Sequence, residues 1–235
     1  MNTETIVHPR LHHLGLTTSN LDALVAWYRK VLGMGIVHRT SAAAGGKDVP
    51  AINAAWVTND EANHRLAFVQ LPGLNADSDR SHHHRIQHVA FEYRTLDDLL
   101  GTYTRLKGLG IEPVLCTDGG SQTAFYYEDP DRNSVELNVD NYGDCWTSSE
   151  HMRTSAEFAK NPMGTFVDPD KMIVARNAPL CLTNCTGAPG PASSHLQRLI
   201  IRAFSFKSGR RQFAGAGRAT RKGFVVGPRK ERLSS

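Results

Sequence analysis

Two histidines and one glutamate in this sequence have the side-chain types and spacing of a metal-ligand set. His13 and His88 each stand within an apolar, strand-like run, and imidazole is a common metal ligand. Glu136 lies in the run Ser134–Val139 with apolar neighbours on both sides, so we expect an inward carboxylate that needs a partner such as a cation. Two histidines and one carboxylate on one face leave three coordination positions open, as in the non-haem Fe(II) oxygenases.

Two further side chains are candidates for chemistry beside such a metal. His64 precedes an apolar run in which Leu66 and Phe68 share its face under strand alternation, which predicts that it points into the same cup. It is either a general acid/base or a strand-end histidine in solvent. Tyr126 either donates a hydrogen bond to a substrate oxygen or is a core tyrosine. The residues alone leave both alternatives open.

An internal repeat places the two histidines at matching positions. Six residue types recur without a gap at a spacing of 75: His13, Leu21, Asp22, Leu24, Tyr28 and Gly33 in the first copy, and His88, Leu96, Asp97, Leu99, Tyr103 and Gly108 in the second. The register selects His13 over the neighbouring His12, because only His13 has a counterpart. Paired copies would bring the two histidines to opposite walls of one site.

Each copy has the pattern of a β-α-β-β-β module. A first strand is predicted at Leu11–Leu16 or Ile86–Tyr93, and a helix follows with Asn20 or Thr95 as its N-cap. The glycines of the repeat fall where a C-cap glycine belongs. Three further strands are predicted at Gly35–Arg39, Ala54–Thr58 and His64–Leu71 in the first copy, and at Pro113–Cys116, Thr123–Glu128 and Ser134–Val139 in the second. The predicted fold class is α+β, with two paired modules forming an open barrel around the metal site.

Composition predicts one catalytic domain with appendages. Residues 10–145 form the paired-module domain (modules about 10–72 and 86–142), 146–176 an extension, and 177–235 a basic segment. From Asn177 onward lie 11 of the 27 basic residues and one of the 23 acidic residues, so the segment carries about +10 and the remainder about −6. We interpret it as a disordered tail; a basic arm for nucleic acid or an anionic membrane, or a shifted reading frame, are the alternatives.

The same sequence gives expectations about location and partners. It has no signal-peptide pattern and no apolar run of membrane-spanning length, so we expect a cytoplasmic protein without a membrane partner. Its four cysteines are too few and too irregular for a disulfide framework and are expected to be reduced. No nucleic-acid partner is expected.

These residues resemble the vicinal-oxygen-chelate superfamily, and within it the small extradiol ring-cleavage dioxygenases that act on catechols and 2,3-dihydroxybiphenyl. The resemblance runs from about Leu11 to Met172 and includes the segments His13–Leu16, Trp27–Met34 and Phe125–Asp131. The family signature, a tyrosine, an acid, a proline and a ligand glutamate, is matched by Tyr126, Asp129, Pro130 and Glu136. Two departures concern the substrate pocket: Arg132 stands where glycine is usual, and the segment Asp118–Gln122 offers no histidine upstream of the tyrosine.

The resemblance implies the roles of the candidate residues. It implies that His13, His88 and Glu136 bind Fe(II), with Mn(II) as the alternative, that His64 is the active-site acid/base, and that Tyr126 hydrogen-bonds a substrate hydroxyl. The implied substrates are an aryl diol and O2, and the implied assembly is a homo-oligomer.

Two other functions remain open from the sequence. A non-redox glyoxalase or epimerase would normally want a fourth protein ligand, where Ala67 or Phe68 stands. A metal-free drug-binding module of the bleomycin-resistance type would make the two histidines and the glutamate accidental.

Overall fold

The computed structural model describes residues 8–44, 52–75 and 82–178, together with residues 6, 77 and 79. The predicted basic tail therefore lies outside the described residues from position 179 onward. None of the helices in these ranges is both long enough and apolar enough to cross a membrane.

The described chain folds into two β-α-β-β-β modules, as predicted. The first contains β1 (Leu14–Thr18), α1 (Leu21–Leu32), β2 (Gly35–Thr40), a 3-10 turn (Ala42–Ala44), β3 (Asn53–Thr58) and β4 (Leu66–Gln70). The second contains β5 (Val89–Tyr93), α2 (Leu96–Lys107), β6 (Leu115–Asp118), β7 (Gln122–Glu128) and β8 (Ser134–Asp140). In each sheet the first and last strands of the module pair in parallel, and the rest are antiparallel.

The extension adds three helices and one short strand. These are α3 (Cys145–Thr154), α4 (Ala156–Lys160), β9 (Thr165–Phe166) and α5 (Pro169–Asn177). The sheet orders are β1-β4-β3-β2 and β5-β8-β7-β6-β9. Within the described residues no strand of one sheet is hydrogen-bonded to a strand of the other, so the sheets are not closed into a barrel. Two open sheets are compatible with the open barrel that we predicted.

Both helices begin where the sequence predicts. The side chain of Asn20 accepts from the backbone N–H of Ala23 at 3.1 Å, and Thr95 accepts from Asp98 at 3.1 Å. Gly33 ends α1 in the left-handed region at φ 68°.

The end of α2 differs from that of α1. Gly108 is right-handed at φ −63°, and the left-handed residue is Gly110 at φ 72°. The backbone N–H of Ile111 closes the end of the helix by donating to the carbonyl oxygen of Leu106 at 2.9 Å. The left-handed cap predicted at Gly108 is therefore displaced by two residues, because α2 continues into one further turn.

The two repeat histidines lie just before strands and not within them. β1 begins at Leu14, whose N–H donates to the Arg65 carbonyl at 3.0 Å, and β5 begins at Val89. The predicted starts at Leu11 and Ile86 are too early, because the parallel partner strands β4 and β8 do not extend that far. His13 and His88 are thus tied to the sheets only on their C-terminal side.

Contacts between the helices and the opposite module join the two halves. The Tyr28 hydroxyl of α1 donates to Asp129 Oδ2 at 3.2 Å, in the turn between β7 and β8. Arg105 of α2 donates to the carbonyl oxygens of Lys30 and Val31 at 2.7 and 3.0 Å. These carbonyls belong to the last turn of α1, where a positive charge also interacts favourably with the helix dipole.

The extension docks on the second module. β9 pairs with β6 and forms one edge of the second sheet, with Thr117 opposite Phe166. Arg176 of α5 binds Asp97 of α2 through two contacts of 2.6 and 2.8 Å. Gly164 precedes β9 at φ 73°, and a Cβ there would overlap the carbonyl oxygen of Asp118.

Gly164→Ala should therefore destabilise the protein more than Gly143→Ala. Both glycines are left-handed, so each substitution carries roughly 1–2 kcal/mol of backbone strain. Only Gly164 meets fixed backbone, so its substitution should cost about 1–3 kcal/mol more. Denaturant unfolding of the two variants measures the difference. Equal losses would contradict the close packing of β9 on β6.

Candidate metal centre

Glu136 is a buried carboxylate in the middle of β8. Its side chain belongs to a residue that is 1% exposed. Alternation turns Val135 and Leu137 to the face that packs against α2, and Glu136 to the opposite face. Its neighbours in register are Ala90 on β5 and Tyr126 on β7. The inward orientation of this carboxylate agrees with the sequence prediction.

Side chains from two strands, β7 and β8, and from the approach to β5 surround the Glu136 carboxylate. His88 Nε2 lies 3.0 Å from Oε2. Asn138 Nδ2 donates to Oε1 at 2.8 Å and Gln122 Nε2 donates to the same oxygen at 3.1 Å. Both carboxylate oxygens are therefore engaged, which offsets the cost of burying the charge.

Gln122 and Asn138 were missed by the sequence analysis. Asn138 follows Glu136 by two residues on the same strand, and Gln122 precedes Tyr126 by four residues on the same strand face. Period-two alternation therefore places each amide on the face of the carboxylate. The spacing of these two residues from Glu136 and Tyr126 could therefore have identified both amides from the sequence.

The contact between His88 and Glu136 fits two neighbouring ligands of one ion. Metal bonds of 2.0–2.2 Å at a right angle leave donor atoms about 3.0 Å apart, and the observed separation of Nε2 and Oε2 is 3.0 Å. One imidazole and one carboxylate suit iron, manganese and zinc. The pair can therefore supply two positions to a divalent transition metal.

Tyr126 lies beside this pair. Its ring centre is 5.7 Å from that of His88, and it lies opposite Glu136 in the pairing of β7 with β8. Burial, followed by the negative charge of the nearby Glu136, raises the pKa of Tyr126 to about 12. The phenol therefore keeps its proton near neutral pH and is available as a donor.

His13 does not join His88 and Glu136. Its ring centre lies 4.3 Å from that of His64 and 5.2 Å from that of His12. In the described ranges, His12, His13 and His64 form a group whose ligand atoms lie within 4.8 Å of one another, whereas His13, His88 and Glu136 form no such group. The predicted three-ligand set remains a prediction, with two members in contact.

The alternation argument for His64 does not hold. Leu66 and Phe68 are buried on the face that packs against α1, where Phe68 meets Tyr28 at 5.0 Å between ring centres. His64 precedes β4, and its ring lies beside that of His13. Burial, then the charges of His13 and His12, lowers the pKa of His64. Its imidazole is therefore neutral near pH 7.

The register identifies the counterpart of Glu136 in the first module. Gly15 pairs with Ala67 as Ala90 pairs with Glu136, and Gly15 and Ala90 are 75 residues apart. Of the two candidates at this position, Ala67 is the equivalent residue. A methyl group cannot bind a metal, so the first module offers no second carboxylate.

A polar cavity adjoins the centre. Its volume is about 220 Å³, and it is lined by Ala90, Glu92, Gln122, Asn138 and Asp140. Two of these residues are the amides that hold Glu136. The cavity therefore reaches the face on which the carboxylate lies.

The turn that leads into β8 contains a strained residue. Arg132 has a left-handed backbone conformation at φ 63°. It makes a 3.7 Å contact with Glu128 between exposed side chains, a geometry that adds little stability.

Arg132→Gly should raise the free energy of unfolding by about 0.5–1 kcal/mol, because relief of left-handed strain outweighs the greater chain entropy of glycine. Arg132→Ala is the matched control: it removes the ion pair, keeps the strain and should not stabilise. Denaturant unfolding compares the three proteins. A gain in both variants would show that the guanidinium, and not the backbone, is unfavourable.

Asn138→Ala and Gln122→Ala should each weaken metal binding about 10-fold to 100-fold, the usual effect of removing a partner that orients a ligand. Asn141→Ala is the control, because this amide binds Asp118 and Thr123 and does not touch Glu136. The test is the dissociation constant for Mn(II) in each variant, measured from the electron paramagnetic resonance signal of the free ion. A loss of the same size with Asn141→Ala would contradict a specific role for the two amides.

Comparison with known proteins adds a family to this geometry. The model of the Glyoxalase/Bleomycin resistance protein/Dioxygenase superfamily matches residues 10–137. The chain is 34% identical over 172 residues to biphenyl-2,3-diol 1,2-dioxygenase 3 of Rhodococcus globerulus, covering 73% of this chain and 84% of that protein. It is 33% identical over 165 residues to biphenyl-2,3-diol 1,2-dioxygenase 2 of the same organism, covering 68% and 78%.

The comparison with solved structures gives lower sequence identities. A glyoxylase/bleomycin resistance protein/dioxygenase domain from Frankia sp. EAN1pec is 18% identical, with a TM-score of 0.48, covering 57% of this chain and 99% of that one. A fosfomycin resistance protein from Listeria monocytogenes, complexed with Mn(II) and sulfate, is 16% identical, with a TM-score of 0.40, covering 57% and 93%.

Proposed function

The chain belongs to the glyoxalase/bleomycin resistance protein/dioxygenase superfamily, and on that premise we propose that it is a non-haem Fe(II) extradiol dioxygenase. It would open catechols such as 2,3-dihydroxybiphenyl in the breakdown of aromatic compounds. The observation that carries the proposal is the 34% identity, over 84% of its length, to a relative named for biphenyl-2,3-diol. The contact between His88 and Glu136 supports it, because it provides metal-binding donors on the face beside a cavity.

The proposed ligands are His13, His88 and Glu136. His88 and Glu136 already lie at the separation of two ligands on one ion. His13 would be the third, from the matching position of the first module. When bound, Fe(II), or alternatively Mn(II), would supply the redox chemistry by which a diol reacts with O2.

Tyr126 would orient the diol. Its raised pKa keeps the hydroxyl protonated, and the hydroxyl lies beside the carboxylate of the proposed metal centre. It can therefore donate a hydrogen bond to a substrate oxygen. Gln122 and Asn138 would fix the carboxylate so that the tyrosine and the metal face the same diol.

His64 would take a proton from the catechol. The direction of its pKa shift makes its imidazole neutral near pH 7, so it can act as a base. It contacts His13, which puts it beside a proposed ligand. The reaction breaks the carbon–carbon bond next to the diol and adds both atoms of O2, giving a yellow hydroxy-oxo-dienoate.

We further propose a cytoplasmic homo-oligomer. Its partners would be the aryl diol and O2, with no nucleic-acid or membrane partner. We propose the division into a paired-module domain (10–145), an extension (146–176) and a basic tail (177–235) on the sequence pattern.

Ring cleavage tests the proposal directly. The full chain, loaded anaerobically with Fe(II), is mixed with oxygenated buffer and catechol, 3-methylcatechol or 2,3-dihydroxybiphenyl. We expect a yellow product and one O2 consumed per diol. Glu136→Gln should lower kcat/KM at least 100-fold, since it removes a charged ligand, and Tyr126→Phe about 10-fold, the effect of one hydrogen bond. Glu128→Gln, an exposed carboxylate on the same hairpin, is the control.

The two alternative functions give different results. A protein that binds one metal ion per chain but cleaves no diol would point to a non-redox glyoxalase or epimerase. A protein that binds no metal would point to a drug-binding module. Either outcome, or loss of activity in Glu128→Gln equal to that in Glu136→Gln, would reject the proposal.

A further inference from the structure

A cluster of three histidines, His12, His13 and His64, precedes strands β1 and β4. His12 Nδ1 and His13 Nδ1 are 2.9 Å apart, and the ring of His64 lies 5.4 Å from that of His12. One ligand atom of each residue lies within 4.8 Å of those of the other two. We call this group the three-histidine cluster.

Two hydrogen bonds to Arg65 hold the backbone on either side of His13. The N–H of Leu14 donates to the carbonyl of Arg65 at 3.0 Å, and Arg65 Nη1 donates to the carbonyl of His12 at 3.1 Å. Asp60 in turn binds Arg65 Nε at 2.8 Å, which partly neutralises the guanidinium. The segments that carry the three rings are thus held together by the sheet and by one arginine.

The cluster is not a consequence of the repeat. By the registers of β1 with β4 and β5 with β8, Gln87 is the counterpart of His12 and Asn133 is the counterpart of His64. The second module therefore has one imidazole where the first has three. The proposed dioxygenase centre uses His13 and His64 but has no role for His12.

We propose that the three-histidine cluster binds one Zn(II) ion through its imidazoles, with a fourth position open to water, and that this ion inhibits the enzyme by occupying His13. Zinc accepts three histidines with one open position, and its bonds of 2.0–2.1 Å set tetrahedral ligands about 3.3 Å apart. Side-chain rotation can reach this spacing, since His12 and His13 are exposed. The inhibitory part rests on the proposed function, whereas zinc binding does not.

Zinc affinity in matched variants tests the site. The full chain is stripped of metal and titrated with Zn(II) against a chromophoric indicator. In the Glu136→Gln background, which weakens the other centre, one ion per chain should still bind with nearly unchanged affinity. Adding His12→Ala should lower that affinity at least 10-fold. Adding His83→Ala instead, an exposed histidine that contacts Asp77, should leave it unchanged.

Two outcomes would overturn zinc binding at the cluster. In one, Glu136→Gln abolishes zinc binding and His12→Ala alone does not weaken it, so that the ion belongs to the His88 and Glu136 centre. In the other, His83→Ala weakens binding as much as His12→Ala, so that surface histidines bind zinc without a defined site. Circular dichroism of each variant checks that the fold is retained.

Inhibition is measured separately. If Fe(II)-loaded protein cleaves diols, His12→Ala should raise the Zn(II) concentration for half-inhibition at least 10-fold, and no change would overturn the inhibitory role. If no diol is cleaved, the proposed function fails, while zinc binding that depends on His12 still supports the site. The two failures are therefore distinguishable.

Discussion

The burial of the Glu136 carboxylate is the constraint on which the second module depends. An unpartnered charge in a sheet would cost several kcal/mol, so the fold must bring donors to both oxygens. Asn138 and Gln122 do so from β8 and β7, and His88 from the residue before β5. These positions require the register that sets Tyr126 opposite Glu136. A slip of one residue would turn the carboxylate into the apolar face that packs against α2.

Support from the rest of the chain converges on this module, although the repeat makes the two halves alike in sequence. Tyr28 and Tyr103 occupy the same repeat position, yet the first binds Asp129 in the β7–β8 turn and the second binds Asp170 in α5. Both hydroxyls therefore stabilise structure around the second sheet. The first sheet has Ala67 in place of Glu136 and has no buried charge at that position to satisfy.

Local signals in the sequence predicted most of the fold. The N-caps Asn20 and Thr95, the helices and the order of strands depend on neighbouring residues and were predicted within a few positions. The first strands begin later than expected, since a parallel strand extends only as far as its distant partner. The cap at Gly108 failed for a similar reason: a glycine permits the left-handed conformation but does not show at which residue the helix stops.

The candidate site was predicted less completely, because its geometry depends on contacts between strands. The burial of Glu136 was predicted from the apolar residues on both sides of it in the sequence. The direction of the His64 side chain was not predicted correctly, because period-two alternation applies only within a strand and His64 precedes β4. The amides that hold Glu136 lay on the predicted face, but only the pairing of β7 with β8 shows that they reach the same oxygen.

His13 is the residue on which the two proposed metal sites differ. It precedes β1, so the sheet fixes its backbone on one side while its exposed side chain contacts His64 and His12. With His88 and Glu136 it would complete a set containing a carboxylate, which suits iron or manganese. With His12 and His64 it completes a set of imidazoles alone, which suits zinc. The orientation of one imidazole would therefore couple the choice of ion to the assembly of the catalytic centre.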